Sequence, residues 1–104
     1  MKADYVYILR CRDGSYYTGY TNDLEKRIEM HNEGKASKYT APRIPVRFVF
    51  TQECKDKSDA LKKEHFIKTL DRKDKEKLIN YEIDLEETYQ DYLIKRNEKS
   101  PKKI

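Results

Sequence analysis

A nearly continuous run of apolar and aromatic residues, Tyr5 to Cys11, is followed by a second strand-like run, Ser15 to Tyr20. Tyrosine, valine and isoleucine pack well on a pleated surface, so both runs read as strands. Arg12-Asp13-Gly14 lies between them and reads as a hairpin turn. A three-residue loop with Gly14 in the left-handed conformation pairs Cys11 with Ser15, Leu9 with Tyr17 and Tyr7 with Gly19. Tyr7 and Tyr17 then sit diagonally on one face. A two-residue Asp13-Gly14 loop would put them on opposite faces, because a one-residue slip inverts the pattern.

Downstream the period changes. Thr21-Asn22-Asp23 offers helix caps, and Leu24 to Asn32 reads as a helix with Leu24 and Ile28 as its apolar stripe, stopped by Gly34. GKASKYTAPRIP reads as a polar, basic loop, and Val46 to Cys54 as a third strand. Asp56 or Ser58 can cap a second helix running to about Leu70, and Asp74 to Asn80 forms a third. From Tyr81 the pattern supports only a weak helix using Leu85, Tyr89 and Tyr92 or Leu93, and KRNEKSPKKI reads as a frayed end. The order β-β-α-β-α-α describes an α+β domain at residues 1–80, a three-stranded antiparallel sheet flanked by helices, with a charged tail at 81–104.

Composition sharpens this. At 104 residues, 40 % charged and 37 % apolar, the chain suits one small domain with a thin core. No apolar run reaches membrane-spanning length, and the first residues do not resemble a signal peptide. Cys11 and Cys54 suggest neither a disulfide framework nor a zinc site, so a reduced, cytoplasmic protein is the simplest reading. Charge is uneven: residues 1–80 hold 18 Lys/Arg against 13 Asp/Glu, while 81–91 hold five acids and no base. A basic body suits a phosphate-bearing partner.

Four features carry candidate chemistry, each with a plainer reading beside it. Tyr7 and Tyr17 are either a diagonal aromatic pair that steadies the hairpin or a pair of functional phenols. Arg27 and His31 share a helix face, which by default is solvated. Glu64 lies at the edge of the stripe formed by Ala60, Leu61, Ile67 and Leu70, where a carboxylate needs a metal, Lys or Arg to offset lost hydration. Lys35, Lys38, Tyr39, Arg43 and Arg47 interleave bases with an aromatic, as a nucleic-acid backbone and an unstacked base require, or simply as a solvated loop does.

Taken together, YVY at 5–7, YTG at 17–19, Arg27, His31 and Glu64 resemble the GIY-YIG nuclease family, particularly its small stand-alone members of uncharacterised function. Tyr5 stands for the first glycine of the motif, Thr18 for the isoleucine of YIG, and Tyr20 where some relatives have lysine. The resemblance implies a metal-dependent endonuclease that hydrolyses phosphodiesters in DNA, with a place in repair or recombination. It implies one Mg²⁺ or Mn²⁺ held by Glu64, Tyr7 as general base, and Tyr17 orienting the water or the scissile phosphate. Arg27 would stabilise negative charge, and His31 would bond a phosphate or assist proton transfer. Lys35, Lys38, Tyr39, Arg43 and Arg47 would follow the backbone of DNA without reading sequence, with RNA left open. A monomer is expected. Two rival readings stand beside it: a nucleic-acid-binding module with little or no turnover, and a protein-interaction module that docks a partner through residues 81–104.

Overall fold

The computed structural model describes residues 2–99, in two compact units that divide at Thr69/Leu70. The first contains strands β1 (Asp4–Arg10), β2 (Tyr16–Thr21) and β3 (Arg47–Cys54), with helices α1 (Leu24–Asn32) and α2 (Lys57–Thr69). The sheet is antiparallel throughout, in the order β2-β1-β3. The hairpin takes the three-residue loop: the Gly14 amide donates to Cys11 O (2.9 Å), the Cys11 amide donates to Ser15 O (2.8 Å), and Gly14 has φ +86°. Leu9 therefore faces Tyr17, and Tyr7 faces Gly19.

Between β1 and β3 the register slips by one: Ile8 pairs with Phe50, but Leu9 pairs with Phe48, leaving Val49 as an extra residue in β3. Tyr7, Leu9, Cys11 and Val46 form a buried cluster against Tyr17, Leu24, Ile28, Ile44 and Phe48, so α1 covers this face of the sheet. Side chains alternate along a strand, so Val6, Ile8 and Phe50 turn the other way. Helix α2 packs on the sheet with Ala60 and Ile67 fully buried.

Local caps explain the helix ends. Asp23 accepts from the Lys26 amide (3.1 Å) to start α1, and Gly34 at φ +78° follows its end. Asp56, rather than Ser58, caps α2 through the Asp59 amide (2.8 Å). The loop expected between α1 and β3 contains one 3₁₀ turn, Ala41–Arg43. Asn32 joins α1 to the start of β3: its amide donates to Val46 O (3.1 Å), and its oxygen accepts from the Val46 amide (2.7 Å).

The second unit holds α3 (Arg72–Ile79) and α4 (Leu85–Lys99). Helix α3 starts two residues before the expected Asp74, because Asp71 accepts from the Asp74 amide (2.8 Å) and so acts as its cap. Asp84 caps α4 through the Glu87 amide (3.0 Å), with Leu85 and Tyr89 buried and Tyr92 stacked near Tyr89. Of the end expected to fray, Lys95–Lys99 continue α4, and residues 100–104 lie outside the described residues. No helix among the described residues is long and apolar enough to cross a membrane.

Candidate active site

Tyr7 occupies the central strand and is 1 % exposed. Its phenol lies across β2 at Gly19, where an added Cβ would stand 2.5 Å from the Tyr7 oxygen and 2.6 Å from Cζ. The third letter of YTG is thus glycine because Tyr7 needs its space. Phe48 meets the Tyr7 ring edge-on with centroids 5.3 Å apart, a contact that the slip at Val49 makes available.

The hydroxyl of Tyr7 lies 2.9 Å from His31 Nε2, and His31 Nδ1 lies 2.9 Å from Thr40 Oγ1. His31 is 1 % exposed, so the solvated-face reading of that histidine is overturned. Thr40 Oγ1 donates in turn towards Ser37 O at 3.5 Å. That direction leaves Thr40 to accept from Nδ1–H, so Nε2 carries the lone pair and accepts from the Tyr7 hydroxyl. Burial, with help from the nearby Arg27 charge, lowers the His31 pKa to about 4, so the imidazole is neutral at pH 7. Burial likewise pushes the Tyr7 phenol well above its ordinary value; Tyr17 and Glu64 add to this and Arg27 opposes it. The charges of Arg27 and Glu64 therefore both reach Tyr7.

Tyr17 sits between the two halves of the site. Its ring meets His31 edge-on at 5.3 Å and stacks near-parallel on Tyr39 at 6.1 Å. Tyr39 is 38 % exposed, but the Arg43 guanidinium lies 4.0 Å over its ring. Arg43 also donates to Tyr39 O (2.7 Å) and to Asp13 (3.0 Å). The expected open aromatic for an unstacked base is thus already partnered, and Arg43 ties its loop to the hairpin turn. Lys35 and Lys38 line a small cleft of about 280 Å³ together, with Lys35 3.7 Å from Glu33. Arg47 is exposed at the start of β3, apart from that cleft. Arg27, half-buried, lines another cleft of about 230 Å³ with Lys2, Asp23 and Lys26.

Glu64 projects from α2 with its side chain 18 % exposed, paired to the half-exposed Lys68 at 3.0 Å. Lys63, on the same arc, pairs instead with Asp59 at 3.1 Å. Among the described residues no three His, Cys, Asp or Glu side chains gather as a metal cage. One reachable carboxylate fits an ion that keeps most of its waters and takes substrate oxygen, as Mg²⁺ does. Two other tyrosines of the hairpin have structural tasks: Tyr20 donates to Asp4 (2.7 Å), and Tyr16 accepts from Arg10 (3.2 Å).

Thr40 and Phe48 were not legible as members of the site. A threonine in a polar loop reads as solvated, and it becomes a partner only once His31 is known to be buried. Gly19 carried a signal, as a glycine directly opposite Tyr7 in the three-residue-loop register.

The GIY-YIG catalytic domain matches the chain over residues 3–80. A UPF0213 protein of Staphylococcus saprophyticus is 51 % identical over 80 residues, covering 77 % of this chain and 98 % of the relative. A UPF0213 protein of Clostridium perfringens is 47 % identical over 87 residues, covering 84 % and 94 %. The solution NMR structure of a UPF0213 protein from Bacillus halodurans is 47 % identical, with a TM-score of 0.50 over 75 % of this chain and 83 % of that one. That of the E. faecalis protein EF2693 is 33 % identical, with a TM-score of 0.52 over 100 % and 96 %. The chain belongs to the GIY-YIG catalytic domain family, among the UPF0213 proteins.

Proposed function

We propose that this chain is a metal-dependent DNA endonuclease that hydrolyses phosphodiester bonds. The observation that carries this reading is the 2.9 Å bond from the Tyr7 hydroxyl to a neutral, buried His31. A phenol held well above its ordinary pKa is a poor phenolate source at pH 7. It is, however, a good relay: the Tyr7 oxygen takes a proton from the attacking water as its own proton passes to His31 Nε2. Thr40 holds the tautomer that leaves Nε2 free to accept. Negative charge brought by the phosphate favours the imidazolium that results.

Arg27, whose charge is felt at both Tyr7 and His31, offsets negative charge building on the phosphate. Glu64 would hold one Mg²⁺ or Mn²⁺, which when bound supplies further positive charge to the phosphate oxygens. Tyr17, wedged between His31 and Tyr39, positions the water or the phosphate through its hydroxyl. Lys35, Lys38 and Arg47 contact the backbone without reading bases.

The test is nicking of supercoiled plasmid and labelled branched DNA in Mg²⁺ and Mn²⁺, with Tyr7→Phe and Glu64→Ala alongside. Cleavage by the wild type only, at least 100-fold above both variants on the scale of acid–base catalysis, is expected. Preference for branched DNA over plain duplex is the expected signature of a repair or recombination enzyme. The near-complete enclosure of Tyr7 favours one second reading, a nucleic-acid-binding module that turns over poorly. Salt-sensitive binding that survives both substitutions, with no cleavage in either metal, would establish that reading instead.

A further inference from the structure

The hairpin end of the sheet carries a concentration of positive charge of which the proposed reaction uses Arg47 alone. A cleft of about 310 Å³ is lined there by Arg10, Cys11, Arg12, Pro45, Val46 and Arg47. Three of these six are arginines, and no acid among the described residues lines the cleft. Arg10 and Arg47 are direct cross-strand partners, and like charges in that position destabilise a sheet. The slip at Val49 creates this pairing: with the register of Tyr7–Thr51 and Ile8–Phe50 continued, Arg10 would face Phe48. A bulge that re-aims a side chain into an unfavourable pairing points to a use for it.

Nearby groups leave the charge in place. Asp13, the acid of the turn, is held by Ser15 and Arg43. Arg10 donates to the Tyr16 hydroxyl and lies over that ring at 5.7 Å. Among the described residues the Arg12 guanidinium donates to the Pro42 carbonyl, at 3.5 Å. Asp4 and Glu53 stand at the opposite end of β1 and β3. What offsets such a group is an external anion, and guanidinium forks match phosphate oxygens in shape as well as charge.

We propose that Arg10, Arg12 and Arg47 form a seat for a second backbone phosphate of the nucleic acid, apart from the phosphate at Tyr7. Arg10 lies three positions after Tyr7, about 10 Å along β1. Arg10 also alternates to the face opposite Tyr7, so one phosphate cannot serve both places. This seat rests on the reading of the chain as acting on nucleic acid, and it fixes where the backbone leaves the cleavage site.

The full chain is titrated with a 20-base-pair duplex in EDTA between 50 and 200 mM salt, beside Arg47→Ala and the Arg12→Ala/Arg47→Ala double variant. Loss of this one phosphate contact is expected to reduce the slope of log Kd against log salt by about 1 in the double variant, and by less in Arg47→Ala, where Arg10 and Arg12 remain. Thermal stability without DNA is expected to hold or rise in Arg47→Ala, since a like-charge pair is removed. Arginine Nε–Hε NMR signals of the wild type, which need no variant to fold, are expected to move for Arg10, Arg12 and Arg47 on adding the duplex. An unchanged slope in the double variant, or unmoved signals at saturating duplex, overturns the seat. Signals that move with inorganic phosphate but not with the duplex also overturn it and assign the cleft to a free phosphate compound. If the wild type nicks plasmid and Tyr7→Phe does not, an unchanged slope removes the seat alone. A wild type that neither binds nor nicks removes both readings.

Discussion

Gly19 and His31 are the residues where function presses hardest on the sequence. The glycine is required for space rather than for backbone freedom, since the Tyr7 ring fills the volume a methyl would take. Gly19→Ala is expected to cost about 1–3 kcal/mol, as overpacking does, and to break the Tyr7–His31 bond as the phenol shifts. Thermal melting together with the nicking rate checks both parts. His31 makes a pH prediction whose sign follows from its depressed pKa. Folding favours the neutral ring, so its contribution is complete above the ordinary value of 6.5 and is lost as pH falls towards about 4. The shift corresponds to roughly 3 kcal/mol across that window. Urea midpoints at pH 7 and pH 4.5 should differ strongly in the wild type and much less in His31→Gln. Thr40→Val removes the acceptor that fixes the tautomer; kcat is expected to fall about tenfold or more while KM stays within about twofold, the split expected when an interaction serves the transition state alone. Tyr7, Tyr17, Arg27, His31 and Glu64 could be named as candidates from the sequence because motif letters and spacing survive without a structure. Thr40 could not, because its role depends on a burial that no local pattern encodes.

At the level of elements, legibility follows how local the cause is. The hairpin register depends on three residues, and of the two loops that Asp13-Gly14 allows the structure takes the longer, with Gly14 in the left-handed conformation. The slip at Val49 was invisible, because Phe48-Val49-Phe50 reads as good strand whether or not one residue is extra. Helix α3 starts at Arg72, two residues before the expected Asp74, because the Asp71 cap that sets its start lies outside the apolar pattern. The connection from α1 to β3 was also unseen: Asn32 looks like the polar end of a helix, yet it satisfies both backbone groups of Val46. Asn32→Ala should cost about 1–3 kcal/mol through the two lost bonds. Asn32→Asp, which keeps the acceptor and loses the donor, should cost less than that if the Val46 amide bond dominates. Chemical denaturation of the three proteins separates these outcomes.

Over the whole chain, charge is divided along the sequence much as chemistry is. Every candidate residue lies before Thr69, within the part of the chain that is basic overall, while the five acids of 81–91 belong to the second unit. On the proposed function, two basic clefts and the exposed lysines would supply the phosphate contacts, and among the described residues of the first unit α1 and α2 both pack on the sheet rather than standing free to read a groove. Affinity should therefore come from backbone charge and be nearly blind to sequence. If Lys35 and Lys38 each take one phosphate and the Arg10, Arg12 and Arg47 seat takes a third, the salt slope on duplex DNA is about −2.7, so raising salt from 50 to 200 mM weakens binding about 40-fold. Duplexes of unrelated sequence should agree in both slope and affinity. A slope near −1 would mean that the basic clefts do not hold the backbone. A normal slope with strong sequence preference would mean that base contacts exist which the geometry of this sheet does not supply.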